Sequence, residues 1–235
     1  MKSIILSIIT ISTVAFLGCE SANTNTPPSQ NKVEGQALFA AETSDQFNAY
    51  WFAGKAEISS YNYTINRYGQ DRKGYAVFIF VTEDLSNTKQ VKLDDPAKAG
   101  NDRVPVLKLN AVQRFKTGIY DYSMMSSLFT PIDFKNMPHA LKSNTTVQDW
   151  CGQVFTQMNL RGKEYKIEQY SYFETEGDQK MGLNTEGVLL EDELLSRLRL
   201  DPSSVPTKIK LVPNLTFSRL RHKKSGGFAR NTFVC

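Results

Sequence analysis

With 2 histidines, 3 cysteines and 2 tryptophans in 235 residues, the sequence lacks the materials of several chemistries. A metal centre needs clustered histidine, cysteine or carboxylate at ligand spacing. His139 and His222 lie in unrelated stretches, so no metal site is expected. A Ser-His-Asp or Cys-His relay would have to use one of those two histidines, and no G-x-S-x-G turn is present. Cys151 falls inside an alternating strand pattern rather than at a helix start, where a thiolate is favoured, and reads as a small buried hydrophobe. Cys151 and Cys235 are far apart and show no disulfide framework. No glycine loop of phosphate-cradling type occurs, Gly226-Gly227 being an isolated pair, and no cofactor is implied. Adjacent carboxylates at Glu83-Asp84 and Asp94-Asp95 would point to opposite faces on a strand, so neither is a ready acid–base couple. Both are expected in turns or loops.

Positive charge on the folded body is lacking too. Five basic residues (Arg219, Arg221, Lys223, Lys224, Arg230) follow residue 218, where there is no acid; Lys2 lies in the leader. The body between carries 22 basic against 24 acidic residues, a net charge of −2. A nucleic-acid binder concentrates positive charge on its folded surface, so no nucleic-acid partner is expected.

What is present begins at the N-terminus. Lys2, an apolar run of 14 residues from Ile4 to Leu17, and Gly18-Cys19 follow the three-part plan of a bacterial export signal. The run is shorter than the roughly 20 residues of a spanning helix. Phe16-Leu17-Gly18-Cys19 resembles the lipobox of bacterial lipoproteins, although Phe16 stands where Leu is usual. That resemblance implies lipid attachment at Cys19 and removal of residues 1–18. From Glu20 to Lys32 there is no large hydrophobe, and Asn, Thr, Ser, Gln and Pro dominate. Such a composition cannot bury enough apolar surface to fold. Residues 19–33 are therefore expected to be a lipidated cysteine and a tether of roughly 20 Å. Glu20, by the sorting rule of enteric lipoproteins, implies the outer membrane. The acyl chains on Cys19 make the membrane the first expected partner.

Beyond the tether, hydrophobic periodicity predicts a mainly antiparallel β domain over 34–222. TSDQFNAYWFAG suggests a short helix, with Thr43 and Gln46 in the spacing of a capping box. Tyr61, Tyr63 and Ile65 alternate with polar residues, the mark of a half-buried strand. YAVFIFVTED lacks that alternation and is expected to be covered on both faces. QVKLDD suggests a short strand; VPVLKLNAVQRF and TGIYDYSMMSSLFTPID suggest a pair joined near Lys116–Gly118. TTVQDWCGQVFTQMNL reads as one long strand with Trp150, Val154, Met158 and Leu160 on one face, followed across Arg161-Gly162 by KEYKIEQYSYFE. GVLLEDELLSRLRLDP predicts a helix with Leu190, Leu194, Leu195 and Leu198 on its buried side and charges that complement the helix dipole. KIKLVPNLTFSRLR adds one or two strands. A curved, barrel-like sheet or a sandwich with one or two packed helices is the expected fold.

Aromatic residues are the candidate site. Tyr61, Tyr63, Tyr120, Tyr122 and Trp150, with Tyr170, Tyr172, Met124 and Met125, combine apolar bodies with polar handles, which suits a pocket for an apolar or glycan ligand. The same residues at period two also suit a β core, and both readings stand.

KAEISSYNYTINRYGQDRKG, AVFIFVTED, KQVKLDDPAKAG, YSMMSSLFTPID and WCGQVFTQMNL together resemble a group of uncharacterised Gram-negative bacterial lipoproteins over roughly 34–222. Some members carry the label septum formation inhibitor Maf. The Ser-x-Ser-Pro-Arg-Arg type motif of true Maf proteins is absent here. The resemblance implies no catalytic residue. Its members run past the point matching SRLRH, so residues 223–235 are expected to be a basic, altered or truncated end. The function implied is a lipid-anchored envelope protein that binds a ligand or partner or supports assembly. An exported hydrolase, its carboxylates joined by the fold, is the alternative.

Overall fold

The computed structural model describes residues 44–216, 220 and 231–234. The export signal, Cys19, the tether, and residues 221–230 and 235 lie outside the described residues. No helix among the described residues is long and apolar enough to cross a membrane.

The chain is mainly β. Eight strands form one antiparallel sheet in sequence order: β1 (Glu57–Arg67), β2 (Gln70–Ser86), β3 (Arg103–Thr117), β4 (Tyr120–Pro131), β5 (Lys142–Asp149), β6 (Gly152–Arg161), β7 (Glu164–Ser171) and β8 (Gln179–Asn184). The sheet does not close into a barrel. A second sheet holds β9 (Val188–Leu190), β10 (Lys208–Val212) and β11 (Asn231–Val234), ordered β11-β10-β9. β10 runs parallel to β9 and antiparallel to β11, which comes from the segment expected as a tail.

Alternation assigns each strand an inner face. On β4 the even residues Tyr122 to Thr130 point inward, and on β5 the odd residues Ser143 to Asp149 do. Phe80, Leu109, Leu128, Met158, Tyr165 and Ile167 thereby form one cluster with Trp51 of α1 (Asp45–Trp51), Val188 and Leu190 of β9, and Val212. The small sheet and the helices thus cover the inner face of the large one. Burying one such side chain stabilises by about 1.5–3 kcal/mol. Towards the end of the sheet where β2 passes into β3, Leu85, Val104, Val106 and Leu141 form a second cluster.

Several expectations are corrected. Ser44, not Thr43, caps α1, its hydroxyl accepting from Phe47 N at 3.1 Å. YAVFIFVTED is not covered on both faces: Val77, Ile79 and Val81 remain half-exposed. QVKLDD contributes a single bridge, Lys92 opposite Leu85. Glu83 and Asp84 lie within β2 and make cross-strand ion pairs with Lys108 (2.9 Å) and Arg103 (2.8 Å). The long strand expected through Trp150 is two strands joined by a turn. Asp149 Oδ1 accepts from Cys151 N (2.7 Å) and Gly152 N (3.2 Å), so its side chain closes the reversal, and Cys151 is exposed rather than buried.

The predicted leucine face of the second helix is also wrong. Val188–Leu190 is drawn into β9, so α2 (Glu193–Leu200) starts later, and its buried residues are Glu193, Ser196 and Arg197. Leu198 is exposed. The charge arrangement along the helix is as expected, with Glu193 in the first turn and Arg197 and Arg199 in the last. Arg199 ties α2 to β1 through Glu57 (2.7 Å) and lies 3.8 Å over the Phe80 ring.

Candidate functional site

In a meander, alternate connections gather at the same end of the sheet. The β2–β3, β4–β5 and β6–β7 connections meet, with the β8–β9 loop, around a cleft of about 620 Å³. That size suits a small ligand. Met137, Leu141 and Leu160 supply apolar wall, and Asn87, Gln90, Asn136, His139, Lys163, Thr185 and Glu186 supply polar groups.

Gln90 anchors one side. It is buried and held at φ 54°, a left-handed conformation that a non-glycine residue adopts at a cost. Its side chain is fully engaged: Nε2 donates to Leu160 O (2.6 Å) and Oε1 accepts from Asn159 Nδ2 (2.7 Å). Its carbonyl accepts from Lys142 Nζ (3.3 Å), whose pKa is pushed down by burial and by the neighbouring Arg161 charge. Behind it, Asp102 accepts from Ser86 Oγ (2.5 Å) and Thr88 N (2.8 Å), and these bonds hold its carboxyl below the usual carboxylate range. These bonds fix the β2–β3 loop to β6.

The opposite wall is the loop Pro138-His139-Ala140, pinned from beneath by buried polar groups. Glu193 Oε1 accepts from Ala140 N and its Oε2 from Leu190 N (3.0 Å). Arg197 donates to Pro138 O, and Tyr165 OH donates to Ala140 O (2.9 Å). Burial pushes Glu193 up to about 7, against the opposing pull of its backbone donors and Arg197. Asp192, partly exposed and bonded to Asn214, is pushed the same way by loss of water, to about 6. Tyr165 is raised well above the ordinary tyrosine value by burial and by Glu193.

His139 sits on this pinned loop. Burial, then the Arg197 charge, push its pKa below the ordinary histidine value, which favours the neutral ring. Its Nδ1 is buried and has no hydrogen-bond partner among the described residues. A buried polar atom left without a partner costs about 1–3 kcal/mol.

The predicted aromatic residues lie elsewhere, and none of the five lines this cleft. Tyr122 is buried and stacked on Phe115 (centroids 4.5 Å apart), in a cluster with Met124, Val147 and the half-buried Tyr63. Tyr63 lies across Gly74, where an added methyl would meet its ring at 2.8 Å, and Tyr63 OH has no partner among the described residues. Tyr61 is exposed beside Phe78, with centroids 5.3 Å apart. Tyr120 and Trp150, both exposed, make an edge contact at 6.0 Å.

Sequence reasoning missed Gln90, Lys163, Glu186 and Asn136, which lie on separate polar loops without periodicity. His139 was noted as a lone loop histidine, and only the fold supplies its surroundings. Glu186 is the acidic residue lining the cleft, while Glu193 is committed to backbone donors on the other side of the loop. No group of three or more His, Cys, Asp or Glu among the described residues is placed to hold a metal ion. The arrangement can bind a molecule with both polar and apolar parts.

Fold and cleft thus define an open antiparallel sheet, covered on its inner face by a small sheet and helices, with a polar-rimmed cleft at one end. Comparisons with family models, curated proteins and solved structures find no match to this chain.

Proposed function

We propose that the chain is a lipid-anchored cell-envelope protein, held through acyl chains on Cys19, that binds a small ligand or a partner's segment without transforming it. The export pattern ending at Gly18-Cys19 supports the anchor, and Glu20 supports the outer membrane. The observation that carries the binding reading is the cleft of about 620 Å³, where Asn87, Lys163 and Glu186 share the lining with the apolar Met137, Leu141 and Leu160. Amides, one cationic and one acidic side chain around an apolar floor suit a peptide- or glycan-like molecule.

Native mass spectrometry of the chain extracted from producing cells tests this. A persistent extra mass is expected, lost in Lys163→Ala with His139→Ala. A bare chain under every mild extraction contradicts binding at the cleft. The same spectra read the acyl mass on Cys19, so anchor and cleft are judged separately.

A further inference from the structure

The opposite end of the large sheet carries the β1–β2, β3–β4, β5–β6 and β7–β8 turns. Turn positions ordinarily hold Gly, Asn, Asp or Ser, whose small or polar side chains suit both the backbone and water. Here the three two-residue tips each display a large apolar or aromatic side chain (Tyr68 is 65% exposed, Ile119 72% and Trp150 62%), and Tyr172, at the start of the longer β7–β8 loop, is 74% exposed. Two of these side chains are held at a cost or specially accommodated. Tyr68 sits at φ 56°, where an aromatic residue is strained. Its ring is held there by Arg67, whose guanidinium lies 4.3 Å from the centroid, and its hydroxyl lies 3.2 Å from Tyr122 OH. Tyr172 lies across Gly152, where an added methyl would meet its ring at 2.5 Å. Folding does not need these side chains outside; it tolerates them there.

The registers place the tips on one line. Gly74, four residues beyond the start of β2, pairs with Phe115, two before the end of β3. Ser123, three beyond the start of β4, pairs with Gln148, one before the end of β5. Each hairpin is therefore offset by two residues from the next. Two residues are about 7 Å along a strand and two strands about 10 Å across, an angle of about 35°, which is the strand tilt of a strongly curved sheet. The tips thus follow one line along the end of the sheet. On the outer face, Val77, Val112, Met125, Thr146, Phe155 and Tyr170 are successive cross-strand neighbours, a row that runs obliquely to the line of tips. The next row is polar over most of its length, through Asn110, Ser127, Asn144 and Gln157.

We propose that this row of hairpin tips rests in the interfacial layer of a lipid bilayer. Tyrosine and tryptophan, with an apolar body and a polar handle, favour that layer. The length of chain outside the described fold argues for this occupant. It rests on the lipid-anchor reading: 24 residues separate Cys19 from Ser44, and even fully extended they span at most about 90 Å. The chain enters β1 at Glu57, the end away from the tips, and the 11 residues of β1 span about 36 Å, so a segment of this length lets the tips reach the bilayer. The β7–β8 loop also carries Glu174 and Asp178, so Tyr172 contributes least.

The test uses the full chain extracted from producing cells and reconstituted on phosphatidylethanolamine–phosphatidylglycerol vesicles, with and without brominated acyl chains. Of the two tryptophans, Trp51 is buried and Trp150 is the exposed reporter. Brominated lipid is expected to quench emission; Trp150→Phe abolishes that quenching, and Ile119→Asn with Tyr68→Asn weakens it while keeping the reporter. The proposal is overturned if the chain does not bind the vesicles. It is equally overturned if Trp150 stays open to acrylamide and blind to brominated lipid, or if a co-purifying protein shields it without lipid. Quenching by a chain whose Cys19 carries no acyl mass supports the tips and removes the anchor reading.

Discussion

At one end of the large sheet most connections are long and irregular, and their polar groups turn inward to hold one another. At the other they are mostly two-residue turns that hold apolar side chains out in water. Gln90 and Tyr68 condense the contrast: both are non-glycine residues at positive φ, at 54° and 56°. Gln90 is buried with every side-chain polar atom engaged, while Tyr68 stays exposed. Strain at Gln90 is offset locally by hydrogen bonds that shape a cleft. Strain at Tyr68 is only partly offset by Arg67 and Tyr122, and it leaves a side chain in solvent. The first end is built for internal precision and the second for contact.

Substitutions at the two ends should therefore separate stability from surface binding. The largest effect is expected at Glu193. Glu193→Ala orphans the buried Ala140 and Leu190 amides, a loss of about 2–5 kcal/mol read by denaturant unfolding. The wild-type chain should also show a pH slope from this residue. Its folded value, about 7, lies above its ordinary 4.5, so the folded state holds the proton more tightly. Stability from this source is full below about pH 4.5 and declines as pH rises to about 7, by up to about 3 kcal/mol. Glu193→Gln should flatten the slope, and an unchanged slope would place its origin elsewhere. Next, Gln90→Ala frees Leu160 O and Asn159, costing about 2 kcal/mol and weakening ligand retention at the cleft. Smallest is Trp150→Ser, expected within about 0.5 kcal/mol of wild type in stability. A tip substitution as costly as Gln90→Ala would erase the distinction between the ends.

Much of the large sheet was legible in the sequence because its faces alternate. Tyr63 and Ile65 point inward on β1 as their period implied. The turn at Gly118-Ile119 fell where the pattern broke. The turn at Trp150-Cys151 was not legible, because a tryptophan and a cysteine at its centre look like strand. The signal was a change of parity, inward Val147 being odd and inward Val154 even, together with Asp149 ahead of Gly152. Helix α2 misled because Val188–Leu190 has the composition of a helix face and was claimed by pairing with β10, a contact 20 or more residues away. The cleft was illegible for a related reason. Its residues come from four loops whose meeting depends on registers, and polar loop residues carry no period. The aromatic residues were visible from the start, but the sequence could not say which of them sit on turns.

The most direct test of the two-ended account is hydrogen–deuterium exchange on the reconstituted full chain, with and without vesicles present. The account predicts slowed exchange at the turns around Tyr68, Ile119 and Trp150 when lipid is present, with no change at residues 86–91 and 136–140. Protection confined to the cleft loops, or none at the turns, would contradict it.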